Sequence, residues 1–173
     1  MKSTNPEIEK QAKQLFASEV LGPRREIIAA YQPALSAKTD LSAGKQIFKR
    51  ECLTCHRLGP EGYEVGPNLA TIKNRTASEI LVHVIDPNKE VSPNYLEFVV
   101  VTDEGLIETG IIVNETPSSI TLKKAENKKV TILRENIDEI KSSGKSLMPE
   151  GFEKKIQTQE MADLIAYLLS LEN

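Results

Sequence analysis

Cys52-Leu53-Thr54-Cys55-His56 is the stretch of sequence that decides how this chain is interpreted. Two thiols lie three residues apart, and a histidine directly follows the second one. This is the C-x-x-C-H pattern to which haem is attached. The two thiols can add across the two vinyl groups of a porphyrin, and the adjacent imidazole then points at the iron from the same side. We therefore predict one covalent haem c, held by Cys52 and Cys55 and ligated by His56.

Paired cysteines also occur in redox motifs and in zinc sites. A thioredoxin-like C-x-x-C opens a helix within a βαβ pattern, whereas here a helical pattern precedes the cysteines and Gly-Pro loops follow them. A structural zinc site needs four Cys or His ligands, and His83 is the only other histidine in the sequence. The sequence favours haem over both.

Helical patterns lie on both sides of the motif. Residues 5–35 read as helical with Asn5 as cap, and Asp40 caps a short helix that runs to about Arg50. A capping box at Thr76-Ala77-Ser78-Glu79 predicts a further helix that Asp86-Pro87 ends. A final helix is expected from Thr158.

Between these helices the hydrophobic period changes from helical to alternating. Residues 95–133 contain four alternating runs, which predict a four-stranded antiparallel meander. The first two runs flank Asp103-Glu104-Gly105, a three-residue hairpin loop whose Gly occupies the position that needs a positive φ. The loop Ser143-Gly144-Lys145-Ser146-Leu147-Met148-Pro149 precedes the final helix.

Two helical segments resemble those of class I cytochrome c. Gly44-Lys45-Gln46-Ile47-Phe48 is similar to the N-terminal helix of that family, and Asp163-Leu164-Ile165-Ala166-Tyr167-Leu168 to its C-terminal helix. The resemblance implies that the two helices cross, with Gly44 and Phe48 against Leu164 and Tyr167. Gly66-Pro67-Asn68-Leu69 resembles the family's loop in which the Pro67 carbonyl accepts a hydrogen bond from the ligand His56.

The order of these segments over about 25–171 also resembles the planctomycete-type haem-binding C-x-x-C-H domain. The resemblance implies a mainly α fold: a class I cytochrome c core with a helical arm and a small inserted antiparallel β module. We expect the arm at 1–39 and the cytochrome c domain at 40–173, with 94–134 as the insert. In that family the domain often closes long exported proteins with a dehydrogenase-like propeller or helical repeats.

The sixth iron ligand has three candidates. Met148 lies in a Leu-Met-Pro loop before the last helix, where class I cytochromes place their thioether ligand, so we predict His56 and Met148 as the metal ligands. His83 would give a bis-His iron instead. An open site would permit peroxide or gas chemistry.

The sequence thus predicts an electron carrier that is not itself an enzyme, although a dehydrogenase domain or another redox protein is its expected partner. One alternative function is a haem sensor or a peroxidase-like domain with a labile or absent sixth ligand. A second alternative is that the β module has the main role, as a domain that docks a partner. The net charge of −3 suggests neither nucleic acid nor an anionic membrane as a partner, and no apolar run approaches the roughly 20 residues of a membrane helix. Haem is normally attached outside the cytoplasm, so we expect a periplasmic or otherwise exported protein, although the start lacks the apolar stretch of a signal peptide.

Overall fold

The structure, a computed structural model, describes residues 24–170. This part of the chain contains four α-helices: α1 (Arg25–Tyr31), α2 (Leu41–Glu51), α3 (Ala77–Ile85) and α4 (Thr158–Ser170). They agree with the predicted helices, although the chain after α1 continues as a 3-10 helix over Gln32–Ser36. The predicted Asn5 cap and the first helical piece lie outside the described residues.

Side-chain caps fix where two of these helices begin. The Asp40 carboxylate accepts hydrogen bonds from the backbone amides of Ser42 at 2.8 Å and Ala43 at 3.2 Å, which satisfies donors that have no partner within α2. Thr76 and Glu79 form a reciprocal capping box at the start of α3. Both caps agree with the sequence prediction.

The helical core is built around the crossing of α2 and α4. Gly44 touches the Asp163 backbone so closely that an added Cβ would lie 2.7 Å from the Asp163 carbonyl carbon and 2.7 Å from the Tyr167 Cβ. The rings of Phe48 and Tyr167 pack with their centroids 6.0 Å apart. The expected close approach of the two helices at Gly44 is confirmed.

An antiparallel sheet follows α3 in the chain. Its strands are β3 (Leu96–Thr102), β4 (Ile107–Glu115), β5 (Ser119–Lys123), β6 (Lys129–Leu133) and β7 (Ile137–Ser146), arranged in the order β6-β5-β4-β3-β7. A separate small hairpin pairs β1 (Arg57–Leu58) with β2 (Glu61–Gly62) directly after the cysteine motif. The large sheet has an apolar cluster of its own, formed by Val100, Ile120, Leu122 and Ile132.

The prediction of a mainly α fold is wrong, because a five-stranded sheet stands beside the four described helices. About as many described residues lie in strands as in α-helices. Strands β3 to β6 and the β3–β4 turn match the sequence patterns, and Gly105 has the expected positive φ of 77°. The fifth strand, β7, was predicted as a turn and a loop, but it pairs with β3 along one edge of the sheet.

We find no helix within residues 24–170 that is long and apolar enough to cross a membrane.

Candidate haem site

The cysteine motif forms a single turn of chain at the end of α2. The Cys52 carbonyl accepts hydrogen bonds from the amides of Cys55 at 3.1 Å and His56 at 2.8 Å. This turn continues the helical path, because the Cys52 amide still bonds to the Phe48 carbonyl at 2.9 Å. Helix α2 therefore sets the position of both thiols and of the imidazole that follows them.

The His56 ring is buried, with 9% of the residue exposed, and one hydrogen bond fixes its orientation. Nδ1 lies 2.8 Å from the Pro67 carbonyl oxygen. Since a carbonyl oxygen can only accept, Nδ1 must carry the proton, which leaves a lone pair on Nε2. Burial lowers the pKa of His56, and the bond to Pro67 offsets part of that effect. A neutral imidazole with its outer nitrogen held by a carbonyl is the form that ligates metals.

Residues 63–66 run back along the motif and hold it from the other side. The Cys55 carbonyl accepts the amides of Val65 at 3.0 Å and Gly66 at 2.8 Å. Gly66 lies against the imidazole: an added Cβ would be 2.5 Å from His56 Cε1. Gly62, with φ of 91°, touches the His56 carbonyl oxygen. Only glycine leaves room at these two positions.

The two thiols are free rather than joined as a disulfide, and both are partly buried. Burial raises the pKa of the Cys52 thiol to about 12, with a smaller contribution from the neighbouring Glu51 carboxylate. A redox C-x-x-C needs the opposite, a lowered pKa at a helix N-terminus, and here the motif lies at the C-terminal end of α2. The thioredoxin-like alternative is therefore disfavoured. Within residues 24–170 no group of three or more His, Cys, Asp or Glu side chains could hold a metal ion, which also disfavours zinc.

These residues fit a covalent haem. Cys52 and Leu69 are partly exposed, and both pack against the helical core from its rim, as Met148 does. The set combines two unpaired thiols, an imidazole with a free Nε2, and apolar side chains for a porphyrin to cover. Met161, by contrast, is fully buried inside α4 and has no access to such a surface.

His83, the second histidine, forms a hydrogen bond with Arg75. His83 lies on α3, where its Nε2 is 2.8 Å from an Arg75 guanidinium nitrogen. Because a guanidinium only donates, Nε2 accepts this bond and its lone pair is engaged. Burial and the nearby Arg75 charge both lower the pKa of His83.

Sequence reasoning missed part of this arrangement. The bond from His56 to Pro67 agrees with the resemblance to class I cytochromes, but the contacts of Gly62 and Gly66 with His56 were not predicted. The available signal for these contacts was the presence of three glycines within ten residues of His56, at Gly59, Gly62 and Gly66.

Residues 41–93 match a protein-family model described as Cytochrome c. The matched segment contains α2, the cysteine motif, the Gly66-Pro67 loop and α3, and it ends before the large sheet begins. No match is found among curated proteins. Together with the geometry of His56, the family match supports a c-type cytochrome domain, covalently bound haem c and a role in electron transfer.

Proposed function

We propose that the chain is a single-haem electron-transfer domain in which Cys52 and Cys55 hold haem c and His56 is one axial ligand. The observation that carries the proposal is the 2.8 Å hydrogen bond from His56 Nδ1 to the Pro67 carbonyl. It assigns the proton to Nδ1, leaves the lone pair on Nε2 for a metal, and increases the basicity of the imidazole. When bound, haem c supplies an iron centre that exchanges one electron with a partner.

Met148 is proposed as the second axial ligand. Its side chain is partly buried against the same core as Cys52 and Leu69. The two rivals among the described residues are less suited, because Met161 is enclosed within the helical core and His83 Nε2 already accepts from Arg75. A thioether is a soft ligand that favours the ferrous state, as in electron-carrying cytochromes.

The chain's own residues then set the redox properties. Pro67 increases the donor strength of His56, which favours ferric iron, while the Met148 thioether favours ferrous iron. No side chain in this arrangement is required to break a bond, so the domain itself needs no catalytic residue.

Substitution of Met148 tests the ligand assignment. The parent should be low-spin and should show the weak near-infrared charge-transfer band of a sulfur–iron bond when oxidised. Met148→Ala should abolish the band, lower the reduction potential and let the reduced protein bind carbon monoxide. His83→Ala is the matched control and should change none of these. If the parent lacks the band and only His83→Ala makes the iron high-spin, the iron is bis-His. A parent that binds carbon monoxide readily would instead favour a sensor or peroxidase-like domain.

Covalent attachment has its own test. Acid–acetone extraction should leave the colour on the protein, and the mass should exceed that of the apoprotein by one haem. A mass equal to that of the apoprotein would refute attachment through Cys52 and Cys55.

The domain limits, the redox partner and the location of the protein are proposed as well. We propose an N-terminal arm at 1–39, predicted from the sequence to be helical, of which residues 1–23 lie outside the described part of the chain. The cytochrome unit is proposed at 40–173 and contains the β module 94–134, whose sheet is extended by β7. The partner is proposed to be a dehydrogenase, either a separate protein or a fused domain, in the periplasm or another exported location. The chemistry that supports this location is the attachment of haem to free thiols, which normally takes place outside the cytoplasm.

A further inference from the structure

The segment that carries Met148 is held by a short series of hydrogen bonds. The Met148 amide donates to Ser146 Oγ at 3.1 Å, and the Leu147 amide donates to the Tyr95 carbonyl at 3.0 Å. The Ser146 amide in turn donates to Asn88 Oδ1 at 2.8 Å. The thioether therefore sits on a backbone whose position depends on residues that precede the large sheet.

Asn88 makes a second contact with the same segment. Its Nδ2 donates to Glu150 Oε1 at 2.7 Å. The other oxygen of that carboxylate, Oε2, lies 3.5 Å from Arg24 Nη1. One amide side chain thus binds both sides of Met148, at the residue two positions before it and at the residue two positions after it.

The position of Asn88 makes this contact a rigid one. It follows Asp86-Pro87, the point at which α3 ends, and Asp86 is almost fully buried with 2% of the residue exposed. Helix α3 itself packs into the same core as α4. Asn88 therefore ties the Met148 segment to a fixed helix end, and not only to the edge strand β7 that leads into it.

We propose that Asn88 is a positioning residue that holds the Met148 thioether in place at the haem iron. The inference rests on the proposed role of Met148 as a ligand. The site requires an amide, because it uses one acceptor for the Ser146 amide and one donor for the Glu150 carboxylate. An aspartate in this position would keep the acceptor but would set a second carboxylate against Glu150.

That requirement allows a variant and its rescue. Asn88→Asp should weaken the sulfur–iron band and raise carbon monoxide binding by the reduced protein on the order of tenfold, since it replaces one net hydrogen bond to Glu150 with repulsion between two carboxylates. In the double variant Asn88→Asp with Glu150→Gln, the glutamine amide can donate back to the aspartate, so the band should return. Asn114→Asp, an exposed change on β4, is the matched control for the added charge and should leave the band unchanged.

The readouts separate this role from a purely structural one. Unfolding by urea and hydrogen exchange at the Ser146 amide are measured on the same haem-loaded variants, and exchange at Ser146 should become faster in Asn88→Ala. If the parent shows the band and both Asn88 variants are folded with unchanged band, carbon monoxide binding and potential, the inference is overturned and Met148 remains a ligand. If the parent shows no band, the proposed ligand fails, and the role of Asn88 towards it fails with it. Should Asn88→Ala not fold, Glu150→Ala removes one side of the contact and is expected to weaken the band partially.

Discussion

Substitution of Gly66 by alanine tests the packing of the iron-ligating histidine directly. A Cβ at this position would lie 2.5 Å from His56 Cε1 and 3.0 Å from Nδ1. Carbon atoms in contact normally lie about 3.5–4.0 Å apart, so the imidazole would have to move by roughly 1 Å. Gly66 does not have a positive φ and precedes Pro67, which favours extended backbone that alanine adopts readily. The methyl group against His56 is therefore the source of any cost.

Two contributions set the expected magnitude. Overpacking of a well-filled site costs about 1–3 kcal/mol. A ring moved by 1 Å also loses the 2.8 Å bond from Nδ1 to the Pro67 carbonyl, which is worth on the order of 1 kcal/mol. We expect Gly66→Ala to reduce the free energy of unfolding by about 2–4 kcal/mol. The bond to Pro67 increases the basicity of His56, so its loss makes the imidazole a weaker donor and the reduction potential should rise.

The assay is urea unfolding of the haem-loaded protein, together with a redox titration. Gly105→Ala is a suitable control because the same methyl group meets no atom within 4 Å, while the positive φ of 77° makes it cost about 1 kcal/mol. The control should lose stability and keep its potential. A Gly66→Ala variant with the stability, the spectrum and the potential of the parent would refute the described contact between Gly66 and His56.

Two further substitutions test the crossing of α2 and α4 and the contact between the sheet and the motif. Gly44→Ala should reduce the free energy of unfolding by about 1–3 kcal/mol, because the added methyl group meets the Asp163 carbonyl; this loss outweighs a gain of about 1 kcal/mol in helix propensity. The control Ser42→Ala, on the same helix, should stay within about 0.5 kcal/mol of the parent. A Gly44→Ala variant as stable as the parent would contradict the crossing. Glu126→Pro should cost more than about 1 kcal/mol, since it removes both the positive φ of 60° and the amide that donates to the Thr54 carbonyl at 2.7 Å. Glu126→Gly keeps both and should unfold at the same urea concentration as the parent or a higher one, and equal stability of the Pro and Gly variants would remove the assigned contact.

Local signals predicted the helices well, because caps and turns are encoded within a few residues. Asp40 and Thr76 carry the acceptors that their helix ends need, and Gly105 carries the conformational freedom that the β3–β4 turn needs. Strand β7 was missed for the opposite reason. Most of its residues are exposed, so it has no hydrophobic alternation, and it forms because β3, more than thirty residues earlier, offers a free edge. The mainly α fold class came from the resemblance to cytochromes, which makes the strands a small insert, whereas five strands form a sheet of their own.

In the candidate site too, some residues are identified by local sequence signals and others only by the tertiary fold. Cys52, Cys55 and His56 are adjacent in sequence, so the motif alone identifies them, and their role in binding haem stays a prediction. The hydrogen bond from His56 to Pro67, eleven residues further on, was expected from the resemblance of this loop to that of class I cytochromes. Asn88 had no local signal, because its two partners lie 58 and 62 residues away. Contacts of this kind depend on the tertiary fold and cannot be read from spacing.

The large sheet is connected to both segments that are proposed to hold the iron. On one side, the turn between β5 and β6 donates the Glu126 amide to Thr54, inside the cysteine motif. Glu126 and Asn127 both have positive φ, at 60° and 56°, a conformation that costs a residue with a side chain about 1–2 kcal/mol. Such strain persists only where surrounding contacts determine the backbone, and the bond to Thr54 is one of those contacts. On the other side, β7 ends at Ser146, two residues before Met148. In the sheet, β4 and β3 lie between β5 and β7. A shift of the cysteine motif relative to the Met148 segment therefore has to deform these strands. The sheet thus opposes a change in the distance between the two proposed ligands, His56 and Met148.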